Sequence, residues 1–176
     1  AMSGRTVTVK GLAERDVVAD TAVWNIKINA VGGDLASLQK RIDQDINEIH
    51  SFLIDSGFLP TDIQNLRVHV RDKYAGYSDA ELKNQQNDGR YVIDTGVMVR
   101  SHNVHLVDSV SRRMGELVRR GITVTEDYTG PIYIFNGLND IKISMIEQAT
   151  KNATAAGEQF AKDADAKLGK IKSANQ

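Results

Sequence analysis

The 176-residue chain contains no cysteine. That excludes disulfides, thiolate nucleophiles and cysteine-ligated zinc, and leaves the redox compartment open. No run of 18 apolar residues occurs, so nothing in the chain reads as a membrane-spanning helix. The charged-then-apolar start of a secretory signal is missing too. Neither sign of charge is in excess. There are 22 basic and 23 acidic residues, a formal net charge of −1, whereas a nucleic-acid binder carries a basic excess on one face. Gly32-Gly33 and Gly130-Pro131 lack the lysine or third glycine of a phosphate loop. No serine or threonine stands in a nucleophile-elbow pattern. The expectation is a protein without enzymatic activity or cofactor. Ala1-Met2-Ser3-Gly4 reads as a cloning remnant, and the abrupt end at Gln176 as a truncation.

What is present is patterned apolar residue. Val7 and Val9 alternate with polar neighbours, and Ala22-Trp24-Ile26-Ile28-Ala30 alternates again, the period of half-buried strands. Glu14-Arg15-Asp16 between them reads as a polar break. Gly32-Gly33-Asp34 ends the second run, and Leu35, Leu38, Ile42, Ile46, Ile49 and Phe52/Leu53 then recur at helical spacing. Ser56-Gly57-Phe58-Leu59-Pro60 stops that helix, because glycine suits a left-handed C-terminal position and proline cannot continue it.

Leu66, Val68 and Val70 suggest a strand, as do Tyr91, Ile93, Thr95, Val97 and Val99. Polar residues 72–90 between them predict a mobile loop, or a long hairpin if the strands extend into it. Val104, Val107, Val110, Met114, Leu117 and Val118 mark a second helix ended by Gly121. Ile122, Val124, Ile132 and Ile134 mark a strand that bends at Thr129-Gly130-Pro131. A third helix is expected from about Asp140 to Leu168, with Ile146, Ala149, Ala153, Phe160 and Ala164 inward. The chain then reads β-β-α-β-β-α-β-α: an α+β fold with an antiparallel or mixed sheet backed by helices. All three helical stripes are assigned to the core, which leaves sheet edges and the 72–90 loop as surfaces for self-association.

Few residues suggest chemistry. His102 and His105 are a close pair that could share a metal with Asp108 if all lay on one helix. Asn103, however, reads as the helix cap, which places His102 outside it, so no metal site is expected. Asp43, Asp45 and Glu48, and separately Asp163 and Asp165, read as charged solvent faces; acid–base work would need a raised pKa in one of them. Arg112, Arg113, Arg119 and Arg120 repeat after two turns and form a basic stripe near a helix C-terminus, where cations are favoured. Such a stripe suits an anionic partner surface or lipid head groups. Tyr74 and Tyr77, at the polar loop, suit a protein interface.

Val7-Thr8-Val9-Lys10-Gly11-Leu12-Ala13-Glu14 followed by Val18-Ala19-Asp20-Thr21-Ala22 resembles the opening signature of the SIMPL domain family, a family of unknown function. Tyr91-Val92-Ile93 leading to Val97-Met98-Val99-Arg100-Ser101, then Gly121-Ile122, and the alanine-rich helix ending Ala166-Lys167-Leu168-Gly169-Lys170-Ile171 agree with it in order. Leu12 stands where the family often has glycine, and the 72–90 loop is long for it. The resemblance covers residues 5–172 as one domain, with two subdomains sharing a core as the variant reading. It implies a bacterial exported protein, periplasmic or held at a membrane by an N-terminal segment, that forms homo-oligomers or binds an envelope partner and is linked in some members to stress tolerance. The alternative is a periplasmic protein that binds a small ligand or metal.

Overall fold

The computed structural model describes residues 4–11, 13–125 and 130–174, and for 138–140 and 170–174 the helical backbone alone. Residues 1–3 of the expected remnant, Leu12, Thr129 of the expected bend and the Asn175-Gln176 end lie outside the described residues. In chain order the elements are β1 (Thr6–Lys10), β2 (Glu14–Val18), β3 (Thr21–Gly32), α1 (Leu35–Asp55), β4 (Ile63–Asn65), β5 (His69–Asp72), α2 (Asp79–Leu82), β6 (Tyr91–Ser101), α3 (Val104–Ser111), α4 (Gly115–Arg119), β7 (Ile132–Ile134) and α5 (Leu138–Ala174). The fold is α+β, and the order is close to that expected. The chain divides into two compact units, residues 1–5 with 18–134 and residues 6–17 with 135–176.

The larger unit holds an antiparallel sheet of order β4-β6-β3-β7, with β5 also paired to β6. Trp24 faces Val99, Ile26 faces Val97, and Ile28 faces Thr95 across the central pair. Side chains alternate between faces, so this register stacks Ala22, Trp24, Ile26, Ile28 and Ala30 with Ile93, Val97 and Val99 on one face. All of them are buried. Helix α1 covers that face with Leu38, Ile42, Ile49, Phe52 and Leu53. Burying these five side chains contributes roughly 8–15 kcal/mol gross. Leu35, at the edge of the expected stripe, stays exposed.

The caps follow the chemistry of the sequence. The Asp34 carboxylate accepts from the Ser37 N–H at 3.0 Å and closes the start of α1. Hydrogen bonds from the Ser37 hydroxyl and then from its N–H hold the carboxyl below its usual range. At the far end Gly57 takes φ +112°, and Phe58 N–H returns to Leu53 O at 3.1 Å. Trp24, the single tryptophan, is fully buried, and its indole N–H has no hydrogen-bond partner among the described residues.

Three expectations need correction in this unit. The strand through Leu66, Val68 and Val70 is two short strands, β4 and β5, separated by residues 66–68, with Val68 and Val70 exposed. The helix expected through Val118 breaks after Ser111 and resumes at Gly115 as α4, which Gly121 ends at φ +86°. Ile122 and Val124 form no strand of their own; Val124 makes one bridge to Ile28.

In the smaller unit, β1 and β2 form a two-stranded sheet. Glu14-Arg15-Asp16, expected as a break, is therefore strand. Its burial alternates between exposed and half-buried, and charged residues are tolerated on a two-stranded sheet facing water. Thr8 donates to Asp16 across it at 2.7 Å. Helix α5 is 37 residues, about 55 Å, long. Its expected inward face is not buried: Ile146 is 55% and Phe160 77% exposed, and Met145 is the buried position instead. No helix among the described residues is long and apolar enough to cross a membrane.

Candidate functional site

The residues singled out in the sequence are placed one by one. Asn103 caps α3, its side chain accepting from Leu106 N–H at 3.1 Å, so His102 precedes the helix and does not share a face with His105. His102 Nδ1 lies 3.1 Å from Asp20 O and 3.3 Å from Thr21 Oγ1, tying the end of β6 to the start of β3. Asp108, the would-be third ligand, is engaged elsewhere. It accepts from Arg5 Nη2 at 2.6 Å and Tyr133 Oη at 2.9 Å, and Arg112 Nη2 lies 3.4 Å away. The hydrogen bond from Arg5, then that from Tyr133, hold its carboxyl down at about 2. Burial and the bond to Asp108 push the Tyr133 phenol up. The described residues contain no group of three His, Asp or Glu side chains able to hold a metal ion.

The four arginines do not form one free stripe, because the break at residues 112–114 separates the two pairs. Arg112 pairs with Asp108, Arg113 forks onto Glu116 at 3.0 and 3.1 Å, and Arg120 reaches Glu48 at 3.1 Å. Arg113 and Arg120 also lie over the Phe52 ring, 5.3 and 5.9 Å from its centroid. Three of the four thus fasten α3 and α4 within this unit, and Arg119 remains exposed.

Tyr74 and Tyr77 stack on each other, centroids 5.2 Å apart, inside the 72–90 segment. That segment contains the short helix α2 and is closed at its base, where Asp72 takes both Nε and Nη2 of Arg90 at 3.1 Å. Tyr74 Oη donates to Gln86 O at 2.7 Å. Asp43 accepts from Gln39, and Glu48 is the partner of Arg120. Asp45 differs: one carboxylate oxygen is buried without a hydrogen-bond partner among the described residues, and burial raises its pKa.

Two surfaces escaped the sequence reading. One is the exposed face of α5, beside which Gly11, Lys142, Met145 and Ile146 line an apolar hollow of about 270 Å³. The other is a cleft of about 500 Å³ in the larger unit, lined by Lys27, Ile28, Leu66, Arg67, His69, Asp94, Thr95 and Thr125. Gly96, mid-strand in an apolar run, was the available signal for the second, since glycine there marks a close backbone approach. A Cβ at Gly96 would stand 2.1 Å from Ile26 O.

The sequence profile of the SIMPL family, described as "Protein of unknown function (DUF541)", matches residues 7–176. The chain belongs to the SIMPL family. No curated protein matches this SIMPL chain.

Proposed function

We propose that this SIMPL protein is a non-enzymatic component of the bacterial cell envelope, periplasmic or membrane-held facing the periplasm, that works by associating with further copies of itself. One observation carries the reading: α5 leaves an apolar face exposed along most of its length. Ile143, Ile146, Phe160 and Leu168 are all more than half exposed, and Met145 alone is buried among the side chains described on this helix. Helices in water owe most of their stability to packing of an amphipathic face, so a long helix with that face uncovered is best supported by a partner. A second copy supplies an identical apolar stripe, and the helix carries both signs of charge, which avoids like-charge repulsion.

The non-enzymatic part rests on where the perturbed carboxyls sit. Asp108, Asp72 and Glu116 are each depressed by an arginine hydrogen bond that also fastens two parts of the fold together or braces one turn, and Asp45, whose pKa burial raises, lines neither the cleft nor the hollow. Export rests on membership of the family. Because the chain lacks cysteine, Phe160→Cys introduces a single thiol. Oxidation should then trap a disulfide-linked dimer, while the same substitution at exposed Asn152, on α5, should trap less. Equal, slow cross-linking at both positions would contradict association through the Phe160 face.

A further inference from the structure

The cleft over the sheet is built by register. Lys27 is directly opposite Gly96, Asn29 opposite Asp94, and His69 opposite Asp94 on the other side. Opposed residues share a face and side chains alternate along each strand. Lys27, Gly96, Asp94 and His69 therefore all project from the face that α1 does not cover. Gly96 contributes no side chain to it, and none fits, because the strands approach too closely. On one flank the chain between β4 and β5 brings Leu66 and Arg67 to the cleft, held by Leu66 N–H to Gly96 O at 2.9 Å. On the other flank Thr125 is fixed beside Lys27 by its N–H to Lys27 O at 3.0 Å.

Among the described lining residues the charges do not cancel. Asp94 is paired with Arg71 at 3.6 Å. Among the described residues neither Lys27 nor Arg67 has an acidic partner. Isolated surface cations are ordinary and stay hydrated. Here two of them, from separate elements, converge on one concavity that also offers Leu66, the Thr125 hydroxyl and the His69 ring. A concave site with an excess of one sign of charge focuses potential and raises the local concentration of counter-ions. Its volume of about 500 Å³ lies within the small-molecule range.

We infer that this cleft binds a small organic anion, one with a carboxylate or phosphate group seated between Lys27 and Arg67 and an apolar body over Leu66. The site is independent of association through α5. Backbone amide NMR of the whole chain tests it, with sodium phosphate and sodium succinate titrated separately at constant ionic strength held by sodium chloride. Saturating shifts are expected at Lys27, Arg67, His69 and Thr125 with at least one of the two probes. Phosphate alone identifies a phosphate-bearing ligand, succinate alone a carboxylate, and both a site open to either. Lys27→Gln with Arg67→Gln should weaken binding about tenfold or more, and Asp94→Asn, which removes the negative charge among the described lining residues, should tighten it. No saturable shift with either probe, the same affinity in the double variant, or weaker binding in Asp94→Asn would each overturn the inference.

Discussion

Arg5 and Asp108 are 103 residues apart in sequence and 2.6 Å apart in space, where the guanidinium donates to the carboxylate. Arg5 also lies over the Tyr133 ring, 4.9 Å from its centroid, and Tyr133 donates to the same carboxylate. One acidic side chain on α3 thus ties Arg5 and β7 together within the larger unit. Ala19 N–H to Arg5 O at 2.7 Å and Asp20 N–H to Ile134 O at 3.0 Å supply the backbone side of the same closure.

The first prediction is a pH dependence. A carboxyl whose folded pKa is depressed contributes stability that is fully present above its unfolded value, near 3.8, and lost as pH falls toward about 2. Asp108→Asn should lower stability near neutrality by on the order of 1–2 kcal/mol, given the charge-assisted bonds it removes. Tyr133→Phe, which deletes one of those donors, should cost about 1 kcal/mol. Urea midpoints read from Trp24 emission should show the Asp108→Asn deficit at neutral pH and its disappearance in acid. A deficit that persists unchanged at about pH 2 would contradict this assignment.

Asp45 should behave with the opposite sign. Burial raises its pKa, so its charge weakens the fold at neutral pH and does so less as pH falls below its folded value. Asp45→Asn should therefore stabilise the protein at pH 7 and leave its stability in acid nearly unchanged. Denaturant midpoints at the two pH values check the sign.

Gly96→Ala tests the close approach in the sheet. The added Cβ meets the Ile26 carbonyl and the Lys27 Cα, both backbone, so neither can swing aside. Overpacking of this kind costs about 1–3 kcal/mol or more. Thermal unfolding followed by Trp24 emission should show a clear loss, and an unchanged transition would mean the strands separate there without cost.

These positions also show what the sequence could disclose. β3 and β6 were legible because one face of each is buried along nearly its whole length, which forces strict alternation from Ala22 to Ala30 and from Ile93 to Val99. α1 was legible for the same reason at period 3.6. The Arg5–Asp108–Tyr133 cluster was not, because nothing in local spacing relates three residues on separate elements. α3 and α4 continue one apolar period across the break, so residues 112–114 gave no warning. The α5 stripe was read correctly as apolar and wrongly as buried, since periodicity reports that a face exists and not what covers it. Likewise Lys27 and Arg67 looked like the ordinary polar side of two strands until the register placed them around one cleft.

The loop at residues 72–90 should open at its base before the sheet does. Asp72 and Arg90 clamp it, and between them lie the tyrosine pair, the Tyr74–Gln86 hydrogen bond and two short helical turns with no buried residue, so local opening requires little. Limited trypsin digestion should cut first at exposed Lys83, and Arg90→Ala should accelerate that cut. Slow hydrogen exchange throughout the segment would contradict it.

Self-association through α5 is tested most directly by sedimentation equilibrium of the chain at tens of micromolar, beside Ile146→Glu with Phe160→Glu. Unchanged Trp24 emission would establish that the larger unit remains folded in the variant. The expected result is a species heavier than the 19.4 kDa monomer for the unaltered chain and a monomer for the double variant. A strict monomer for the unaltered chain, or an assembly that the two glutamates leave intact, would contradict it.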